Sequence, residues 1–126
     1  MSWFLIAPDK VEAIHDGILN PAEIKGRARD KSLEGALARV DNRLNYGLIA
    51  DAFDLAAAYA VAIAQGHCFN DGNKRTAFRV MLICLDLNGI QLVWNTEAVG
   101  QAIIRAAQRR MDEGELADWL LERAPG

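Results

Sequence analysis

Nine consecutive residues, His67-Cys-Phe-Asn-Asp-Gly-Asn-Lys-Arg75, interrupt two long apolar stretches with a histidine, a carboxylate, two carboxamides and two cations. A plain connection between two buried helices has no need of such a set. Gly72 and Asn73 stand just ahead of the next helical pattern, where the first backbone N–H groups lack intrahelical acceptors and form a positive helix end. That arrangement binds anions, phosphate above all. Lys74 and Arg75 add two cations at the same place, where they oppose the helix macrodipole and cost stability unless an anion is close. The remaining groups suit phosphoryl or nucleotidyl transfer. Asp71 can hold Mg2+, which prefers carboxylate and phosphate oxygens and keeps several waters. The imidazole of His67 can accept the proton of an attacking hydroxyl. Asn73 can orient a phosphate or the Asp71 carboxylate, and Phe69 is expected to anchor the loop in the core. Taken singly, a helix-end histidine is more often a C-cap, Asp-Gly a turn and Asn a helix cap. Their conjunction within nine residues points to phosphate chemistry.

The elements that must position this segment are helical. Pro8-Asp9 opens a pattern with Val11, Ile14, Ile18 and Leu19 on one side, closed by Asn20-Pro21. Residues 20–31 read as a polar loop. A second helix is predicted from about Lys31 to Asn42. A third runs from its N-cap Asp51 through roughly Gln65, and its Ala-rich surface suggests burial on most sides. The fourth begins near Asn73 and ends at Asn88-Gly89. Ile90 to Trp94 alternates weakly and finds its only partner in Ser2–Ile6, which gives at most a tiny two-stranded ribbon. Thr96 starts a fifth helix, Asp112–Glu115 reads as a turn, and Leu116, Trp119 and Leu120 mark a short sixth. The expectation is an all-α, compact bundle of about six helices in a single domain over 1–126.

Composition agrees: 52% apolar residues with only 7% aromatic favours packed helices. With a net charge of −3, nothing suggests a general nucleic-acid binder, which carries a basic balance, and no direct nucleic-acid partner is expected. Two cysteines, Cys68 and Cys84, make no disulfide framework. The Trp3–Ile6 run is too short for a signal-peptide core, and no apolar run reaches the roughly 20 residues that span a bilayer. A soluble cytoplasmic protein without a membrane partner is expected.

The motif His67-x-Phe69-x-Asp71-Gly72-Asn73-x-Arg75 resembles the signature of the Fic-domain superfamily, His-Pro-Phe-x-(Asp/Glu)-Gly-Asn-Gly-Arg-x-x-Arg. Asp71-Gly-Asn-Lys-Arg-Thr-Ala77 looks like its death-on-curing (Doc) toxin branch. Ile14-His15-Asp16, Gly26-Arg-Ala-Arg-Asp30, Leu33-Glu-Gly-Ala-Leu-Ala-Arg39, Phe53-Asp-Leu-Ala-Ala-Ala-Tyr59 and Asn88-Gly89 are similar to further family landmarks, so the likeness covers most of residues 10–93. Three departures stand out. Cys68 replaces the usual Pro. Lys74 stands where adenylylating members have a second Gly, and Phe78 where they have a second Arg. In the Doc branch these last two changes go with a reversed nucleotide, so the resemblance implies a kinase that transfers the terminal phosphate of ATP.

The same resemblance implies His67 as general base and Asp71 as Mg2+ ligand. Gly72, Asn73, Lys74 and Arg75 hold the phosphates. Arg79 is added from helical spacing: four residues after Arg75, it shares a helix face one turn along. The implied protein is a toxin of a type II toxin–antitoxin system that arrests translation. Its implied target is a threonine of elongation factor Tu, or a similar translation protein, and a cognate antitoxin restrains it. The alternatives are an AMP or other NMP transferase, and a catalytically inactive Fic-fold partner-binding protein. Ser32-Leu33-Glu34-Gly35 lacks the spacing of a Fic inhibitory helix and reads as ordinary helix surface. Trp3, Trp94 and Trp119 are expected to pack at the core or its rim, with an antitoxin groove as their other possible place. His15 and Asp16 point about 100° apart on a helix, so proximity in sequence alone does not make them a joint catalytic pair; a structural role such as buttressing the motif loop is the better expectation.

Overall fold

The computed structural model describes residues 2–91 and 93–124. Six helices follow one another: α1 Pro8–Ile18, α2 Leu33–Asn45, α3 Ala52–Gly66, α4 Asn73–Leu87, α5 Thr96–Ala107 and α6 Glu113–Arg123. The helix α3 is the axis, with α2, α4, α5 and α6 packed around it and α1 laid across α4 and α2. Its sequence explains the place it takes. Every residue from Leu55 to Ala64 is buried, and the many Ala side chains let neighbours approach closely, while Leu55, Val61 and Ile63 fill what remains. Truncating Ile63 to Ala would cost about 2–5 kcal/mol through lost burial and the cavity left behind. Where α3 ends, a Cβ on Gly66 would lie 3.0 Å from Ala36 Cβ and 2.9 Å from Cys68 Sγ, so only glycine lets α2 and the start of the motif close on this turn.

Local capping sets the helix starts. Ser32, Asp51 and Asn95 accept hydrogen bonds from Gly35, Asp54 and Ala98 N–H. The expected Asp112–Glu115 turn is instead the N-cap and first turn of α6. Asp112 and Glu115 form a capping box, which satisfies donors that a free turn would leave to water. Likewise Ser32 holds the start of α2 at Leu33, and the helix runs on to Asn45.

The expected two-stranded ribbon does not form: no strand occurs among the described residues, and Leu92, within Ile90–Trp94, lies outside them. The N-terminal segment is tied down by side chains instead. Asn88, the C-cap of α4, accepts from Phe4 N–H and donates to Phe4 O, both at 3.0 Å, while Ile6 N–H donates to the Tyr59 hydroxyl at 2.8 Å. Once a carboxamide satisfies the Phe4 peptide, its N–H and C=O need no partner strand. Trp3, Trp94 and Trp119 are half-buried against the core rim. No described helix is long and apolar enough to cross a membrane.

Candidate active site

The polar segment connects α3 to α4 and is held by contacts along its whole length. At the end of α3, His67 adopts the left-handed conformation (φ 50°, ψ 40°) and acts as the helix C-cap, while its exposed imidazole makes no hydrogen bond among the described residues. The C-cap and functional roles are therefore compatible: the backbone ends the helix and the ring stays free. The chain then runs antiparallel to Gly26–Ala28. Ala28 N–H donates to Cys68 O at 2.8 Å, Asn70 N–H to Gly26 O at 3.1 Å, and Arg27 and Phe69 form an isolated bridge. Arg27 anchors that segment in turn, bonding Glu12 of α1 at 2.9 Å and both oxygens of Glu34 of α2 at 2.8 Å. Hydrogen bonds from Arg27 hold the Glu34 carboxyl below the ordinary range, and those from Glu34 and Glu12 raise Arg27 further.

Phe69 enters the core, as its type foretells, and its ring stacks on that of His15, with centroids 3.8 Å apart and planes 8° from parallel. His15 is fully buried, and its Nε2 lies 2.7 Å from Asp71 O. It thus buttresses the motif loop, and its Nδ1 faces Asp16 at 3.1 Å. The Asp71 carboxylate accepts from Ile24 N–H at 2.8 Å through Oδ2; its Oδ1 makes no hydrogen bond among the described residues. Asn73 does not turn towards Asp71. Its carboxamide accepts from Phe69 N–H at 3.1 Å and donates to Phe69 O at 2.9 Å, closing the loop on itself. Cys68 is buried, its Sγ 3.6 Å from Ser32 O, and burial pushes its thiol up.

Gly72 turns the chain into α4 with φ +80°, a conformation side chains resist; a Cβ there would also lie 3.3 Å from Leu19 Cδ2. No side chain caps this helix. Thr76 N–H reaches back to Gly72 O, so the N–H groups of Asn73, Lys74 and Arg75 are left without acceptors among the described residues. They face a depression of about 370 Å3 lined by Ala64 and by His67, Asn70, Asp71, Gly72, Asn73, Lys74 and Arg75. Lys74 is exposed and has no ion-pair partner among the described residues. Arg75 is committed: its guanidinium bonds Ile18 O at 2.9 Å and the carboxylate of Glu23. Arg79 lies outside the depression. It lines an adjoining one of about 460 Å3 with Ile18, Asn20, Phe78 and Thr96, and Arg75 is the wall the two share.

Such a site fits a polyphosphate with a divalent cation. Free helix N–H groups and Lys74 meet the phosphate oxygens. Among the described residues no group of three metal-ligating side chains occurs. A cation here would thus take one protein carboxylate, Asp71, and complete its shell with phosphate and water, as Mg2+ does. A family model described as the Fic/DOC family matches residues 5–85. The chain belongs to the Fic/Doc family. The match spans α1 to α4, the helices that build the depression and its supports. This Fic/Doc chain is also similar to "Protein kinase doc" of Escherichia phage P1, 35% identical over 116 residues that cover 91% of each protein.

Glu23 and Ile24 carry no motif signal in the sequence. They sit in the polar loop after Pro21 and reach the site across roughly 50 residues of chain. An apolar groove of about 550 Å3, lined by Leu5, Ile6, Ala13, Ile14, Ile83 and Leu87 with Lys10, opens on the α1–α4 side; none of the three tryptophans lines it.

Proposed function

We propose that this Fic/Doc protein is the toxin of a type II toxin–antitoxin system, a kinase that transfers the terminal phosphate of ATP to a serine or threonine hydroxyl of elongation factor Tu or a similar translation protein. The carrying observation is the uncapped start of α4, whose free N–H groups share one depression with the exposed His67 imidazole. The name of the phage P1 relative supports phosphate over AMP as the transferred group.

In this reading the N–H groups of Gly72, Asn73, Lys74 and Arg75, with the Lys74 ammonium, hold the phosphate oxygens. Arg79 faces the neighbouring depression and steadies a more distal part of the nucleotide. His67 takes the proton of the acceptor hydroxyl as its oxygen bonds the terminal phosphorus; the bond from that phosphorus to the bridging oxygen breaks and ADP leaves. Asp71 would hold Mg2+, whose charge, when present, offsets the negative charge on the phosphates. The protein works in the cytoplasm, as one domain, restrained by an antitoxin; the apolar α1–α4 groove suits an apolar segment of that partner.

Incubation of the protein and elongation factor Tu with ATP labelled at the α or the γ position tests the reading. Label from the γ position alone is expected; label from the α position would replace the kinase with a nucleotidyltransferase. His67→Ala should lower transfer by about 10²–10⁴-fold and abolish growth arrest. Arrest that survives this change would favour an inactive partner-binding protein.

A further inference from the structure

A fully buried imidazole under the motif loop needs a reason, because an aliphatic or phenyl side chain would fill the same space without the cost of burying polar nitrogens. What the imidazole adds at this place is two polar nitrogens: Nδ1 faces the Asp16 carboxylate at 3.1 Å, and Nε2 meets the motif loop. Its Nε2 lies 2.7 Å from Asp71 O, and a carbonyl only accepts, so Nε2 carries the hydrogen. The ring is held for this bond by its stack on Phe69 and lies against Gly72, where a Cβ would be 3.6 Å from His15 Cδ2.

The consequence follows from the peptide plane. In a trans peptide the C=O and the next N–H point in opposite directions. A hydrogen bond that draws Asp71 O inwards to His15 therefore turns the Gly72 N–H outwards, towards the depression that Gly72 lines. The Asp71 side chain is fixed separately by Ile24 N–H, so the His15 bond bears on the backbone peptide and not on the carboxylate. We propose that His15 is a positioning residue: it sets the Asp71–Gly72 peptide so that the Gly72 N–H is aimed at the phosphate being transferred. The inference deepens the kinase reading and rests on it for the identity of the anion.

Two substitutions separate the donor from the shape. His15→Phe keeps the ring stack and most of the volume but removes both ring nitrogens. His15→Gln loses the stack and the Asp16 contact and places an amide N–H near the position of Nε2, so recovery in His15→Gln assigns the effect to the Asp71 bond. Thermal unfolding, kcat and KM for ATP, and the 1H–15N resonance of Gly72 titrated with ADP and Mg2+ are measured for each. His15→Phe is expected to unfold within a few degrees of the unaltered protein, to lose kcat by about 10–100-fold, and to lose the response of the Gly72 amide to ADP. His15→Gln should regain most of both. An unchanged kcat and Gly72 response in His15→Phe would overturn the proposal, as would losses in both variants that merely track a lowered melting temperature. Should His15→Phe fail to fold, His15→Met, which adapts to irregular space, makes the same comparison. If the unaltered protein transfers no phosphate while the Gly72 amide still responds to ADP in a His15-dependent way, the kinase reading fails and the positioning role stands.

Discussion

Arg75 leaves the first turn of α4 with its guanidinium already bonded to the carboxylate of Glu23. Two cations at a helix N-terminus ask for an anion, and for one of them the protein supplies it. The Asn20 N–H, at 2.7 Å from Glu23 Oε1, and then Arg75 hold the Glu23 carboxyl below its ordinary range, so it is ionised at neutral pH. In the proposed function this carboxylate competes with phosphate for the Arg75 guanidinium. Glu23→Gln keeps the shape and removes the charge, and should lower KM for ATP about threefold with kcat little changed, an effect of the size expected for an exposed ion pair. A rise in KM instead would mean that Arg75 needs the pair to hold its place.

Asn73 offers a way to separate the fold of the loop from the phosphate binding proposed for it. Asn73→Ala removes both bonds to the Phe69 peptide and should cost about 1–3 kcal/mol, because buried groups lose their partners. Asn73→Asp retains the acceptor for Phe69 N–H but replaces the donor to Phe69 O by a second carboxylate oxygen, and it adds a negative charge beside the depression proposed to hold the phosphates. Its stability should fall by a similar amount, about 1–3 kcal/mol, while KM for ATP rises by more than about tenfold, well beyond the rise in Asn73→Ala. Equal loss of stability and affinity in both variants would show the charge to be irrelevant.

How much of this was legible follows from how local each signal is. The bounds of α3 and α4 and the start of α5 rest on caps and glycines within a few residues of each end, and the start of α1 rests on Pro8; the sequence announces them. The motif is contiguous, so its residue types could be weighed together. Even there, the partner of Asn73 was hidden, because a carboxamide fits a phosphate, a carboxylate or its own loop equally well on paper. Glu23 and Ile24 lie in a segment with no periodicity and meet Asp71 and Arg75 only through the packing of α1 on α4. The ribbon failed for a related reason: alternation proposes a strand but cannot show that Asn88 has already taken the Phe4 peptide.

That tether is itself testable. The Asn88 carboxamide bonds Phe4 N–H, Phe4 O and Cys84 O, the last at 2.9 Å. Asn88→Ala should destabilise the fold by about 1–2 kcal/mol, and amide exchange at Phe4 and Ile6 should quicken before that of α3. Unchanged protection at Phe4 would show that Tyr59 and the packing of Ile6 hold the segment unaided.

Cys84 sets the behaviour of the fold in alkali. Burial pushes its thiol up to about 12, against 9.0 for the unburied group, with the Asn88 side chain acting in the opposite sense. The unfolded chain therefore gives up this proton first. The stability that the neutral buried thiol contributes is complete below about pH 9 and is lost as pH rises from there towards 12. Cys68 and Tyr59, both raised by burial, act in the same direction. Urea unfolding at pH 7, 9.5 and 10.5 should show stability falling across the upper range. Cys84→Ala should be less stable at pH 7 by about 1 kcal/mol, through lost packing, yet lose less on going to pH 10.5. Parallel curves for the two proteins would remove Cys84 from the account. A thiol reagent at pH 8 gives an independent check: with both cysteines buried, labelling should await unfolding, and reaction of the folded protein would show an opening that this packing does not provide.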